Sequence, residues 1–540
     1  MTASTAGRTA AFHAVRSTAV APVRVRRQHP PRASLSLLAD REAAASAASS
    51  ASSASPPPAS SSDAEASASA SASAVTAAAT AAAAATTTTT TDTPPVKVQP
   101  LRLRNGRYAN PFPTWPGYPT AADAARLLPD ALALLRRGAP PGGGGDTEAA
   151  TPARATPRLD PPVGTPARLT WLGHASVLAQ LGGGSGGGGG GSGVSVLFDP
   201  VFADRASPVQ WAGPARMGGP PPVACPADLP PIDAVAISHN HYDHLSRGCV
   251  VALEEAHTPV WAVPAGVGRW MRRVVPAAAA AGRIHELSWW EDLCLVAGGG
   301  ETRADGRPGG VVGGGGGRPF TLSFLPAQHW SSRTPWDRGA SLWGSWGLRM
   351  AMPASGDGGG GGGGGNGGDR SGHSDGSGDG NFDGSSGDSG GGSGGDDGGA
   401  SGGDGGGSGG VPGGGPPVTI WFAGDTGWAG AGLYRAIRSH LGGHVDVAAI
   451  PIGAYAPRWF MARQHINVPE AVRVFQEVGA AEAFGIHWGT FPLTTEPLME
   501  PATELARLTA AAGIADRFVT LGMGESRDYG RLREEDGAPA

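Results

Sequence analysis

Residues 237–246 read ISHNHYDHLS, and this stretch decides the fold as well as the chemistry. It follows an apolar run, Asp233-Ala234-Val235-Ala236-Ile237, which reads as a buried strand. Residues two apart in an extended segment point to the same side, so His239 and His241 present two imidazoles to one cation. The spacing then predicts that the chain turns into a helix over 244–256, letting Asp243 and His244 face a second cation nearby. A single histidine in such a place would read as a polar surface turn. The HxHxDH spacing behind an apolar strand is far more specific.

Three further apolar runs end the same way. Strands predicted over 320–325, 418–422 and 483–486 lead into His329, Asp425 and His487, as 234–237 leads into His239. Helical patterns at 244–256, 265–280, 429–441, 468–479 and 500–512 lie between or after them, with Asn467 and Pro469 placed as N-cap and early helix residue. Strands interleaved with helices argue for a layered α/β fold whose loops carry the site at one sheet edge. Seven residues then suggest two metal sites. His239, His241 and His329 would hold one ion, Asp243, His244 and His487 the other, and Asp425 would bridge them. Two zinc ions fit imidazole and carboxylate donors best, although ligand type alone leaves iron and manganese open. Such a pair lowers the pKa of water and neutralises charge on an attacked phosphoryl or carbonyl oxygen.

Working outward, much of the chain is not core. Of 540 residues, 90 are glycine, and 41 basic against 46 acidic residues give a net charge of −5, which marks no nucleic-acid binder. The three cysteines, Cys225, Cys249 and Cys294, are too few and too scattered for a disulfide framework or a thiolate zinc site and read as free thiols. No apolar run of about 18 residues offers a transmembrane segment, so membrane contact is expected to be peripheral. Residues 1–39 hold six arginines and no acid, the composition of a plastid or mitochondrial transit peptide. Residues 40–98 are Ala, Ser, Thr and Pro and read as a disordered linker. One hydrolase domain is expected over 99–540, with a helix from Ala121 to Arg137 and a Pro/Gly linker at 139–166. ARLTWLGHASVLAQL and VSVLFDPVF read as two strand-like runs joined by a Gly-Ser insert at 182–193. A second insert, 354–416, is nearly all Gly, Ser and Asp. Both inserts are expected to be disordered at hairpin tips, since loop closure costs only about 0.6 kcal/mol per doubling of length. Removing tail and inserts leaves a body of roughly 350 residues, feasible for one core.

NPFPTWPGYP, WLGHASVL, FDPVFADRASPVQWAGPAR, HNHYDH, LSWWEDL, PAQHW, LWGSWGL, FAGDTGW, IPIGAYAPRWFMARQHINVPEAV and GIHWGTF together resemble the N-acyl-phosphatidylethanolamine-hydrolysing phospholipase D family, within the metallo-β-lactamase superfamily. HxHxDH is common to many hydrolases of that superfamily, whereas IGAYAPRWFM and LWGSWG are narrower signals. The resemblance implies an αββα sandwich and a zinc-dependent phosphodiesterase that releases N-acylethanolamine and leaves phosphatidic acid. It also implies a phospholipid substrate at a membrane surface, and it is compatible with a homodimer. Asp243 and His465 are the candidates for direct catalytic roles, and Tyr242, Gln464 and His465 for substrate contact. His465 would steady the phosphate or protonate the leaving alkoxide. Trp459, Phe460 and Met461 would either meet lipid or pack, and Arg458 reads more readily as an ordinary salt bridge than as a phosphate contact. His174 reads as a support for the ligands, and Trp289, Trp290, Trp343 and Trp346 as core. Two rivals stand beside this reading: a metal-dependent lactonase or other carboxylic-ester hydrolase on the same site, and a non-catalytic membrane-associated scaffold.

Overall fold

The computed structural model describes residues 97–136, 151–163, 165–182, 193–297, 318–353 and 414–530. The expected transit peptide and almost all of the linker, the cores of both named inserts (183–192 and 354–413) and a further Gly-rich stretch at 298–317 lie outside the described residues.

A small hairpin of β1 (Leu101–Arg102) and β2 (Tyr108–Ala109) comes first, followed by the helix Ala121–Arg136. The main body begins with β3 (Ala167–Trp171), β4 (Val177–Leu181), β5 (Val194–Phe198), β6 (Ala234–Ala236), β7 (Val260–Pro264) and β8 (Ile284–Leu287). It continues through β9 (Glu291–Val296), β10 (Pro319–Leu325), β11 (Ser345–Pro353), β12 (Gly414–Phe422), β13 (Val445–Pro451), β14 (Ala480–Ile486) and β15 (Phe518–Thr520), and closes with β16 (Ser526–Tyr529).

Two seven-stranded sheets result, ordered β16-β3-β4-β5-β6-β7-β8 and β15-β14-β13-β12-β11-β10-β9. Each is built alike. Antiparallel pairs join β16, β3, β4 and β5 in one and β9, β10, β11 and β12 in the other. Parallel pairs then add β6, β7 and β8 to the first and β13, β14 and β15 to the second. Parallel neighbours need a crossover, and for all but β5 to β6, which are joined by a long loop, helices supply it: Arg247–His257 before β7, Gly268–Val274 and Pro276–Ala280 before β8, Ala431–His440 before β13, Val468–Val478 before β14 and Glu500–Ala511 before β15.

The pleat sorts side chains between two hydrophobic cores. Ala234 and Ala236 of β6 belong to the core between the sheets, while Val235 and Ile237 belong to a second core with Leu253 and Met271 of the covering helices. Phe198 of β5 stacks on Phe422 of β12 with ring centroids 4.9 Å apart, which joins the sheets face to face. Both rings are fully buried, and each such side chain contributes about 1.5–3 kcal/mol relative to exposure. Trp289, Trp343 and Trp346 are buried in the same core, with Trp290 packed against it. The protein is therefore an αββα sandwich, the metallo-β-lactamase architecture.

Several expectations are corrected locally. ARLTWLGHASVLAQL forms two strands, because Gly173 to Ser176 make a turn (Ser176 N to Gly173 O 2.9 Å) and Leu181 then pairs with Val194 across the insert. The helix expected over 265–280 is split at Val275, where Pro276 can start a helix but cannot continue one. Residues 414–416 belong to β12 rather than to the insert. Within the linker expected at 139–166, residues 151–163 are docked, with Arg154 bridging to Met523 and Arg158 ion-paired to Asp528 at 2.8 Å. Val98, placed in the linker, already accepts a hydrogen bond from the Trp290 indole. The three cysteines are free.

Candidate metal centre

β6 ends at Ala236, and the ligand stretch that follows is a turn rather than the first turn of a helix. Leu245 N donates to His241 O at 2.8 Å, and the helix begins only at Arg247. Chain ends after β3, β5, β10, β12 and β14 deliver His174, Asp199, His329, Asp425 and His487 to the same place. His174 (φ 51°), Asp199 (φ 40°) and His487 (φ 62°) all sit in the left-handed region, where a non-glycine residue is held only by its surroundings. These strand ends must turn sharply to aim their side chains inward.

Three imidazoles form the first group. His239 Nε2 lies 2.8 Å from His241 Nδ1, which lies 3.2 Å from His329 Nε2. Their outer nitrogens decide what faces inward. His329 Nδ1 donates to the Gln464 carbonyl at 2.9 Å, and His239 Nδ1 meets Ser238 Oγ at 3.0 Å, whose own proton goes to Asp199. Neutral rings held this way turn the Nε2 lone pairs of His239 and His329 toward His241 Nδ1. One proton could bridge only one such pair, whereas a cation satisfies all three nitrogens.

The second group is mixed. His244 Nε2 lies 3.1 Å from Asp425 Oδ2 and 3.6 Å from Asp243 Oδ2, and His487 Nε2 lies 3.2 Å from Asp425 Oδ1 and 3.4 Å from Asp243 Oδ2. Asp425 also reaches the first group, with Oδ2 3.8 Å from His239 Nε2 and 3.7 Å from His329 Nε2. The structure thus brings all seven residues named from the sequence together and puts the Asp425 carboxylate between the groups.

Charge follows the same division. Burial pushes His239 well below its ordinary value, His241 to about 3 and His329 to about 4, the neighbouring imidazoles adding to the effect at the first two. They stay neutral at pH 7, the form that ligates metal. Burial works against charge on Asp243 and Asp425 too, yet the surrounding imidazoles, His244 foremost, hold both carboxyls well below their usual range. The carboxylates in turn outweigh burial at His244, which is raised well above normal, and at His487, raised to about 9. The second group therefore calls for positive charge beside two carboxylates. His244 Nε2, His487 Nε2 and Asp425 Oδ1 are buried and lack a hydrogen-bond partner among the described residues. Donor type, convergence and charge all fit divalent cations.

Asp199 and Ser238 were not singled out from the sequence. Asp199 Oδ1 accepts from Ser238 N at 2.7 Å, and Oδ2 accepts from Ser238 Oγ and, at 2.7 Å, from His244 Nδ1. The signal was an aspartate closing a strand in FDPVF, but nothing in one dimension ties it to His244. His174, read from the sequence as a support, has its Nε2 3.0 Å from Asp243 Oδ2, with burial pushing it down to about 3, and it stands close enough to Asp243, His244 and His487 to share a cation with them.

The remaining candidates surround this centre. His465 Nε2 is 3.9 Å from Asp425 Oδ2, and its ring centroid lies 5.0 Å from that of His487. Gln464 Oε1 accepts from the Trp330 indole at 2.9 Å, and the Trp330 ring packs 4.8 Å from His241. Tyr242 is half-buried, donating to Arg333 O at 3.1 Å beneath the Arg333 guanidinium, 4.0 Å from its ring centre. Arg458 pairs with Glu470 at 2.6 Å, the salt bridge expected of it. Trp459 and Phe460 are partly exposed and Met461 is buried.

A family model described as a beta-lactamase superfamily domain matches residues 195–355 and 411–488. The N-acyl-phosphatidylethanolamine-hydrolyzing phospholipase D 1 of Caenorhabditis elegans is 32% identical over 360 residues, 66% of this chain and 74% of its own length. The chain belongs to this phospholipase D family. A second relative, the mitochondrial N-acyl-phosphatidylethanolamine-hydrolyzing phospholipase D of Saccharomyces cerevisiae, is 25% identical over 67% of this chain and 55% of its own length. A solved metallo hydrolase from Ignicoccus hospitalis is 14% identical, with a TM-score of 0.35 over 67% of this chain and 98% of that one. Like its relatives in the family, this protein is a metal-dependent hydrolase. Among the described residues no helix is long and apolar enough to cross a membrane.

Proposed function

We propose that the protein is a zinc-dependent phosphodiesterase of the phospholipase D type, which hydrolyses N-acyl-phosphatidylethanolamine to N-acylethanolamine and phosphatidic acid. The observation that carries this reading is the Asp425 carboxylate, within 3.1–3.8 Å of ring nitrogens from both the three-imidazole group and the Asp243, His244 and His487 group. His239, His241 and His329 would hold one zinc, Asp243, His244 and His487 the other, and Asp425 both. Two zinc ions bound there supply a nucleophile from water at neutral pH and charge stabilisation for the phosphoryl oxygens.

The chain's own residues supply position and protons. Asp199 and His174 hold His244 and Asp243 in place, and the Gln464 carbonyl fixes the tautomer of His329. His465, on the Asp425 side of the cluster, would offer a ring N–H to the ethanolamine oxygen as its bond to phosphorus breaks. Tyr242 and Gln464, next in the chain to His241 and His465, would contact the substrate. An arginine-rich start free of acids, together with a relative named as mitochondrial, supports an organellar address.

Purified full-length protein, assayed for zinc and given N-acyl-phosphatidylethanolamine beside phosphatidylcholine and a lactone panel, tests the reading. About two zincs per chain and release of N-acylethanolamine are expected, with Asp425→Ala losing bound metal and most turnover. Lactone or ester cleavage by fully metallated protein without phosphodiester cleavage would overturn it.

A further inference from the structure

The loop after His329 leads away from the metal centre to the surface, and its tip is unusual. Trp336 is 79% exposed, an indole that a protein interior would normally bury. Beside it stands the β1–β2 hairpin, closed by Leu103 N to Arg107 O at 2.8 Å, with Leu101 48% and Leu103 45% exposed. The two tips are stitched together. The Arg107 guanidinium donates to the carbonyls of Trp336 and Arg338, and Tyr108 N donates to Gly339 O at 2.7 Å. Gly339 (φ +69°) makes the approach close, since a Cβ there would stand 2.6 Å from Tyr108 O. Hairpin and loop therefore form one surface.

That surface is basic between its apolar tips. Arg102, Arg104 and Arg338 are exposed on it. The loop's one carboxylate, Asp337, is turned inward, its Oδ1 accepting from Arg333 N and Thr334 N at 2.8 Å each. Glu286 and Glu291, the carboxylates that act on Tyr108, are engaged by Arg272 and by backbone amides of residues 266, 268 and 288. The surface is also continuous with the site. The Arg338 guanidinium lies 4.9 Å from the Tyr118 ring and 5.5 Å from that of Trp330, and Trp330 packs on His241.

We propose that Trp336, Leu101 and Leu103 insert into the interface of an anionic phospholipid bilayer while Arg102, Arg104 and Arg338 meet its headgroups, so that the hairpin and loop dock the metal centre on the membrane. The chemistry matches on both counts. Indole favours the headgroup level, and clustered arginines are attracted to anionic lipid. Single apolar side chains along the hairpin and at the loop tip, spaced by arginines, suit a bilayer better than the continuous apolar patch a protein partner would bury. The inference rests on the substrate being a bilayer lipid.

The test compares full-length wild type, Trp336→Ser and Arg102→Ser/Arg104→Ser by co-sedimentation with vesicles of phosphatidylcholine alone or mixed with phosphatidylserine. Wild type is expected to bind the mixed vesicles and to be released by salt, and affinity is expected to fall about fivefold for each arginine removed. Thermal melting and turnover of a water-soluble phosphodiester should match wild type in both variants, while turnover of vesicle-borne substrate falls. Variants that bind and turn over vesicles as wild type does would overturn the docking surface. The soluble phosphodiester separates the two readings: if wild type fails to cleave it, the proposed chemistry fails, whereas vesicle binding still judges the surface. Binding indifferent to phosphatidylserine would overturn the anionic partner, as would loss in the variants of a protein contact alone.

Discussion

Asp199 is fully buried and spends its side chain on holding others. Burial pushes its carboxyl up, against the pull of His244 and Ser238. It accepts from His244 Nδ1, which leaves Nε2 as the ring nitrogen that faces Asp243 and Asp425 and that, once deprotonated, would ligate a metal. Replacing the carboxylate by an amide puts a donor opposite a donor or forces the other tautomer. Asp199→Asn is therefore expected to bind metal about 10–100-fold more weakly, the usual cost of losing such a support. Chelator competition would measure it, and an unchanged dissociation constant at normal fold content would contradict the role.

At the scale of an element, β16 shows how a short edge strand is held. It covers the outer edge of β3 through four residue pairs. Arg168, nearly buried on β3, meets Asp528 of β16 at 2.6 Å, and Arg158 adds a second contact at 2.8 Å. These hydrogen bonds outweigh partial burial and hold Asp528 below its ordinary 3.8. A depressed carboxyl contributes stability that is present above the unfolded value and lost as pH falls through the folded one. The contribution of this pair should thus be constant at neutral pH and disappear below 3.8. Urea unfolding of wild type and Asp528→Asn should differ by no more than about 1 kcal/mol near pH 7, as suits a partly exposed pair. The two curves should converge as pH falls below 3.8, and a gap that widens on acidification would refute the assignment.

For the whole molecule, the long Gly-rich inserts sit where the fold tolerates them. Pro353 and Gly414 are partners across β11 and β12, as Leu181 and Val194 are across β4 and β5. The ends of each insert are thus already adjacent, and what joins them affects stability mainly through closure entropy. Replacing residues 354–413 by a four-residue turn should raise stability by about 2 kcal/mol, from roughly four halvings of loop length. Unfolding midpoint and metal content check this, and a destabilised or metal-poor deletion would show that the insert supports the site.

The candidate ligand set was legible in the sequence because each of its members follows an apolar strand, and strand-to-turn junctions leave a local trace in hydrophobicity. His239, His241, Asp243, His244, His329, Asp425 and His487 were named that way, and a layered α/β fold followed from the strand and helix alternation, while the αββα sandwich came from the family resemblance. Asn467 was readable as a cap for the same reason: its partner Glu470 is three residues away. What stayed hidden depends on contacts between residues far apart in the chain. Asp199 gains meaning only when parallel pairing of β5 with β6 brings its side chain under His244, 45 residues later. The basic surface around Trp336 arises only because Arg107 crosses 229 residues to reach that loop. Local chemistry determined which side chains could bind metal; tertiary packing decided which lone pairs face inward, what holds them there and which surface surrounds them.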